Sequence, residues 1–293
     1  MMWPRISEHI VSTLGEPFVI DSTRDVGGGC INSAYVIEGS GQSFFVKTNS
    51  ASRLDMFEAE QEGLLEIARH KTIKVPQPLC AGTSGGNAYI VMEYLPIHGG
   101  SGSSASLEQL GVDLANMHRI TQKQFGWHRD NTIGSTPQIN TLTSQWVTFY
   151  REHRLGFQYQ LAAENGYGQL LRRGELLMSG LDQFFRDYQP VPSLLHGDLW
   201  SGNYAIADNG QPVIFDPAVY YGDREADIAM TELFSRFSQR FYSAYNDAYP
   251  LDAGYSIRKT LYNLYHILNH LNLFGGGYLG QAQSMTEQLL SEL

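Results

Sequence analysis

His196-Gly197-Asp198-Leu199-Trp200-Ser201-Gly202-Asn203, with Asp216 following 13 positions after the asparagine, is the stretch from which the rest of the chain can be read. Two short apolar runs lead into it: Val191-Pro192-Ser193-Leu194-Leu195 before His196, and Pro212-Val213-Ile214-Phe215 before Asp216. Both read as short strands that end in polar residues. An aspartate, an asparagine five residues on, and a second aspartate closing the next strand form a recurring set in phosphoryl transfer. The chemistry accounts for the residue types. A substrate hydroxyl needs an acceptor for its proton, which suits Asp198. Magnesium takes hard oxygen ligands from an amide and a carboxylate, which suits Asn203 and Asp216. Each residue alone reads more readily as a turn cap or a strand end; the three at this spacing favour the chemistry.

The N-terminal third supplies a complement. Gly27-Gly28-Gly29-Cys30-Ile31-Asn32-Ser33 runs into the strand Ala34–Ile37 and not into a helix. That excludes a Rossmann turn, and the chain has no GxxxxGK[ST] motif. Glycines let a β-turn close over phosphates and present N–H groups to them. After a turn at Gly39-Ser40-Gly41, the strand Ser43–Lys47 ends on a lysine placed to reach such phosphates. A lysine in that role needs an orienting carboxylate, and the helix read over Arg53–His70 offers Glu58, Glu60, Glu62 and Glu66. At about 100° per residue the apolar stripe centres near Phe57, Gln61, Leu64 and Ala68. Glu60 lies nearest to it and is the inward partner for Lys47. The other three read as a solvated face, so Glu62→Ala is expected to be nearly silent.

Around these motifs the organisation is two-lobed. Strands dominate up to Tyr89-Ile90-Val91-Met92, and a Gly/Ser-rich segment, Gly99-Gly100-Ser101-Gly102-Ser103-Ser104, follows. Beyond it the chain turns helical, with long windows near 143–160, 168–188 and 226–247 and no internal repeat. The reading divides it into a lobe over 1–95, a hinge over 96–104 and a helical lobe over 105–293. The 42% hydrophobic content of the 293 residues fills a sizeable core and excludes global disorder. The net charge of −10 opposes nucleic acid and anionic membranes as partners, so an anionic ligand requires a local positive pocket. No signal-like start or membrane-length apolar stretch is present, and two cysteines make no disulfide framework. A cytoplasmic setting is expected.

Taken together, Gly27–Ser33, Lys47, Met56–Glu60, His196–Asn203 and Asp216 resemble the fructosamine kinase (ketosamine-3-kinase) family. So do Tyr221-Gly222-Asp223-Arg224-Glu225-Ala226-Asp227-Ile228-Ala229-Met230 and the segment Asn269–Tyr278. The resemblance implies an α+β, protein-kinase-like fold, related to aminoglycoside phosphotransferases and choline kinases. It implies ATP and Mg2+ as cofactors and phosphorylation of the 3-hydroxyl of ketosamines, free or on glycated proteins, which releases the amine. On that pattern Lys47 and Glu60 anchor phosphate, Asp198 is the base, and Asn203 and Asp216 bind magnesium. Met92-Glu93-Tyr94-Leu95 is the adenine hinge, and His196 and Asp227 support the site. Trp200 and His270 are candidate acceptor residues, Trp200 weighed against lobe packing. Asp216-Pro217-Ala218 stands where protein kinases have Asp-Phe-Gly, and no activation segment follows.

Two rivals stand beside this expectation: the same fold acting on another alcohol, such as an aminoglycoside or a choline-like acceptor, and a non-catalytic nucleotide-binding protein. The second is disfavoured because Lys47, Glu60, Asp198, Asn203 and Asp216 are all present. Cys30, among mobile glycines, suggests a thiol switch. The protein is then either a monomer or a homodimer joined through Cys30.

Overall fold

The computed structural model describes residues 2–27, 31–97 and 102–293. Helix α1 (Met2–Leu14) comes first and is absent from the sequence reading. Pro4 falls in its first turn, where a missing N–H costs nothing. Ile6 and Ile10, four apart, share one fully buried face.

An antiparallel sheet follows, built from β1 (Ser22–Asp25), β2 (Ser33–Gly39), β3 (Gln42–Ser50), β4 (Pro78–Ser84) and β5 (Asn87–Glu93) in the order β1-β2-β3-β5-β4. The hairpin between β2 and β3 turns on Ser40 (φ 49°) and Gly41 (φ 75°), both left-handed, as a tight turn between twisted strands requires. Alternation along β5 assigns its two faces. Tyr89 and Val91 join Ile6, Ile10, Phe18, Ile37 and Val46 under α1, while Ala88, Ile90 and Met92 join Phe57, Leu64 and Ile67 of α2 (Leu54–His70). The sheet is thus covered on both sides, and α2 is pressed between it and the rest of the chain.

The helical part contains α3 (Ser104–His118), the hairpin β6 (Asn131–Ile133) and β7 (Thr136–Gln138), and α4 (Trp146–Tyr150). A π-helical turn at Arg151–Gly156 carries α4 into α5 (Phe157–Glu164), and α6 (Gly168–Ser179) follows. Four short strands come next: β8 (Ser193–Leu195), β9 (Tyr204–Ile206), β10 (Pro212–Ile214) and β11 (Tyr220–Gly222). They pair β9 with β10 and β8 with β11. The chain closes with α7 (Glu225–Thr231), α8 (Gln239–Ala248), α9 (Tyr255–Phe274) and α10 (Leu279–Leu290).

This is the α+β arrangement expected, a sheet-rich N-terminal lobe and a helical C-terminal lobe. Its helix boundaries correct the expected windows. The 226–247 window is two helices, because the chain leaves α7 after Thr231 and restarts where Ser238 Oγ caps α8, accepting from Arg240 N at 3.3 Å. The 168–188 window ends at Ser179, with Gly180 packed so closely on Leu293 that a Cβ would lie 2.5 Å from it. Within the stretch read as the hinge, residues 98–101 lie outside the described ones, and α3 begins at Ser104. Among the described residues no helix is long and apolar enough to cross a membrane.

Candidate active site

Lys47 lies in β3, beside the buried Val46, and only 6% of it is exposed. Its Nζ donates to Glu60 Oε1 of α2 at 2.6 Å and to Asp216 Oδ1 beyond β10. Burial alone would lower the Lys47 pKa; the Asp216 and Glu60 carboxylates override it and hold the ammonium above its ordinary range. Sheet, helix and helical lobe therefore meet at one nitrogen. The remaining acids of α2 correct the solvated-face reading. Glu62 accepts from Arg129 and meets His128 Nε2 at 2.7 Å, and Glu66 Oε1 accepts from the Tyr221 hydroxyl at 2.6 Å. Only Glu58 of the three is plainly exposed. A helical wheel registers one apolar stripe, whereas α2 also faces a second body through its polar residues.

The loop after β8 is set by two constraints. Gly197 (φ 83°) abuts Ala218, whose carbonyl oxygen would lie 2.1 Å from a Cβ at that position. Only glycine lets the Asp198 loop and the Asp216 loop touch there. Asp227, in the first turn of α7, accepts from the backbone N–H of His196 at 2.7 Å and of Gly197 at 2.8 Å. Buried His118 reaches the same carboxylate with Nε2 at 3.1 Å and meets the Tyr245 hydroxyl with Nδ1 at 2.7 Å. Burial raises the Asp227 pKa, but its bond to His118, aided by the backbone, more than offsets it, leaving the carboxyl below its usual range. His196 donates from Nε2 to Phe215 O at 2.9 Å and accepts at Nδ1 from Asp198 N at 3.2 Å. Burial holds its ring neutral, and the two bonds fix the tautomer.

Asn203 Nδ2 donates to Asp198 O at 2.8 Å and to Asp198 Oδ2 at 3.2 Å. Burial, then the charge of Asp216, pushes the Asp198 carboxyl well above its usual range. Asp216 itself has φ 57°, a strained left-handed backbone for a residue with a side chain. With Nδ2 committed to Asp198, Asn203 Oδ1 has no hydrogen-bond partner among the described residues, and neither has Asp216 Oδ2. Two uncommitted hard oxygens fit a magnesium ion that keeps waters and shares phosphate oxygens. Among the described residues no cluster of three or more His, Cys, Asp or Glu forms an all-protein cage.

Of the expected phosphate loop, Gly28, Gly29 and Cys30 lie outside the described residues, and the thiol-switch reading with them. Beside them Val26 N, next to Gly27, donates to Ala34 O at 2.9 Å. Asn49 Nδ2 holds Ile31 O at 3.0 Å and Asn32 Oδ1 at 2.8 Å, and Ser33 begins β2. Of the residues expected as the hinge, Met92 is buried under α2 and Glu93 Oε2 accepts from Lys74 Nζ at 2.6 Å and Gln77 N at 3.1 Å. Tyr94 and Leu95 are half-buried.

Trp200 is 38% exposed, and its ring lies over Gly202, where a Cβ would approach within 2.3 Å. Phe234 links it to His270, with ring centroids 6.5 Å from Trp200 and 4.7 Å from His270, and Phe274 and Tyr278 extend the same rim. Phe234 escaped the sequence reading because it sits in the break after α7, where helical periodicity says nothing. Asn131 and Gln138 escaped it too, being isolated polar residues in a hairpin of three-residue strands.

The family described as fructosamine kinase matches residues 2–292. A "probable ketoamine kinase" of Synechocystis sp. is 48% identical over 289 residues, 98% of this chain and 97% of the relative. A chloroplastic protein-ribulosamine 3-kinase of Arabidopsis thaliana is 45% identical over 287 residues, 97% and 87% of the two chains. Among solved structures, a "putative fructosamine-3-kinase" from Haemophilus somnus superposes with a TM-score of 0.90 at 31% identity, covering 99% of this chain and 98% of that one. An aminoglycoside phosphotransferase in a ternary complex with ADP and hygromycin B has a TM-score of 0.59 at 15% identity and covers 98% of both chains, a likeness of fold alone.

Proposed function

From a chain that belongs to the fructosamine kinase family, we propose an enzyme that transfers the γ-phosphoryl group of ATP to the 3-hydroxyl of ketosamines, the step that leads to deglycation. The observation that carries the reading is the position of Lys47 Nζ between Glu60 and Asp216, which ties the sheet and α2 to the Asp216 loop, itself in contact with the loop bearing Asp198 at Gly197. Lys47 stays charged and binds phosphate, and Glu60 keeps its ammonium in place. Asp198 accepts the proton of the attacking hydroxyl as its oxygen bonds to phosphorus, and ADP leaves with the electron pair of the broken bond. Asn203 orients Asp198 through its amide. Asn203 Oδ1 and Asp216 would hold Mg2+, which when bound neutralises charge on the phosphates. The exposed rings of Trp200 and Phe234 offer an apolar wall for the sugar adduct beside the base.

Measuring ATP consumption over fructosamine, ribulosamine and erythrulosamine adducts of an amine and of a glycated protein, with aminoglycosides as controls, tests this. Magnesium-dependent turnover of at least one ketosamine and of no aminoglycoside is expected. Turnover confined to aminoglycosides, or none on any alcohol, overturns it.

A further inference from the structure

Asp216 sits in a left-handed backbone with no activation segment beyond it, which raises the question of what holds it there. On its N-terminal side the answer is local: Phe215 N donates to Asn203 O at 3.0 Å, and Phe215 O accepts from His196. On its C-terminal side Pro217 has no N–H to give. Beyond it Ala218 N donates to His196 O at 2.8 Å, and the Ala218 and Val219 carbonyls are held by side-chain amides of the β6–β7 hairpin. Gln138 Nε2 donates to Ala218 O at 3.1 Å, and Asn131 Nδ2 donates to Val219 O at 2.8 Å.

Those amides cannot turn over. Arg154, in the π-helical turn, is completely buried, stacks over the rings of Phe149 and Tyr220, and has no carboxylate partner among the described residues. A guanidinium only donates. Asn140 must therefore turn Oδ1 toward Arg154 Nη2, at 2.8 Å, and its Nδ2 toward Asn131 Oδ1, at 3.0 Å. Asn131 then has only Nδ2 to offer Val219. Gln138 Nε2 also donates to Asn131 Oδ1, at 2.8 Å, and its Oε1 accepts from the Tyr265 hydroxyl at 2.8 Å. One buried cation thus sets the polarity of a chain of amides that ends on the backbone beside Asp216. π-Helical turns recur at functional sites, and this one places Arg154.

We propose that Gln138 and Asn131, polarised by Arg154 and Tyr265, are positioning residues for Asp216, taking the place of an activation segment. The inference rests on reading Asp216 as a magnesium ligand. Its test is therefore nucleotide binding, read apart from turnover, by thermal shift with AMP-PNP in a magnesium titration and in EDTA. Gln138→Glu keeps the shape and puts an acceptor where Ala218 O needs a donor. It should raise the magnesium concentration for half-maximal shift about tenfold, leave the EDTA shift unchanged, and lower kcat without changing the acceptor KM. Tyr265→Phe removes one hydroxyl and should move magnesium dependence the same way by about threefold; it carries the test if Gln138→Glu does not fold. Wild-type magnesium dependence in a folded variant overturns the inference. If the wild-type protein binds Mg-AMP-PNP but turns over no ketosamine, the acceptor assignment fails and this inference stands. If wild type shows no magnesium-dependent binding, both fail.

Discussion

The floor and the rim of the candidate site are built on opposite principles. On the floor, His196 and Gly197 are held by Asp227 of α7, itself bonded to His118 of α3; Asp198 and Asn203 hold each other, and the β6–β7 hairpin holds the backbone after Asp216. On the rim, Trp200, Phe234 and Phe274 are 38–55% exposed and meet one another mainly ring to ring. Hydrogen bonds fix atoms to fractions of an ångström, as proton and phosphoryl transfer demand. Aromatic faces exclude water over an area while tolerating differences in shape. Under the proposed function, the contrast assigns reaction type to the floor and acceptor choice to the rim.

The contrast is broken most directly at the floor. Asp198→Ala and Asp216→Ala should each reduce turnover by at least about a thousandfold while circular dichroism stays that of the folded protein; a variant that keeps a tenth of the activity would remove its residue from the reaction. Next comes His266 of α9, whose Nδ1 is buried with no partner among the described residues and whose pKa burial, with His270 adding to it, pushes down to about 3. The ring is neutral when folded and protonates near pH 6.5 when unfolded. Its contribution is present above that value and is lost as pH falls toward 3. Between pH 7 and 5 the wild type should lose about 2 kcal/mol relative to His266→Asn, read by urea unfolding at both pH values; a constant difference would mean that the ring takes up a proton in the fold as readily as in the unfolded chain.

The rim should respond differently. Trp200→Ala is expected to raise the acceptor KM about tenfold with kcat and Tm little changed, and a kcat effect as large as that of Asp198→Ala would merge the two regions into one. The smallest effect belongs to Glu62→Ala, which releases His128 from α2 and leaves Arg129 held there by Asp55 alone. Half-exposed ion pairs give under about 1 kcal/mol, so a small drop in Tm with unchanged kcat is expected, in place of the silence that the helical wheel suggests.

What the sequence disclosed follows the same division. His196–Asn203, Lys47 and Asp216 are legible because the chemistry proposed for them demands particular residue types at fixed spacing. Glu60 is legible because an apolar stripe points the helix. Asn131, Gln138 and Arg154 are not: the first two hold backbone carbonyls 80 or more residues away, and Arg154 holds Ile139 O and the Asn140 amide, at no regular spacing. Helix α1 is not either, although its stripe is regular, because Ile6 and Ile10 acquire meaning only against a sheet formed later in the chain.

That last feature has a temporal side. His9 Nδ1 meets the Tyr89 hydroxyl at 2.8 Å across 80 residues, and α1 packs on strands that include β4 and β5. At roughly 5–20 residues per second of synthesis, the first helix waits about 4–16 s with Trp3, Ile6 and Ile10 uncovered before its docking surface exists. Helix α1 is made well before the strands that place it, so during synthesis its apolar face is open to the wrong partner.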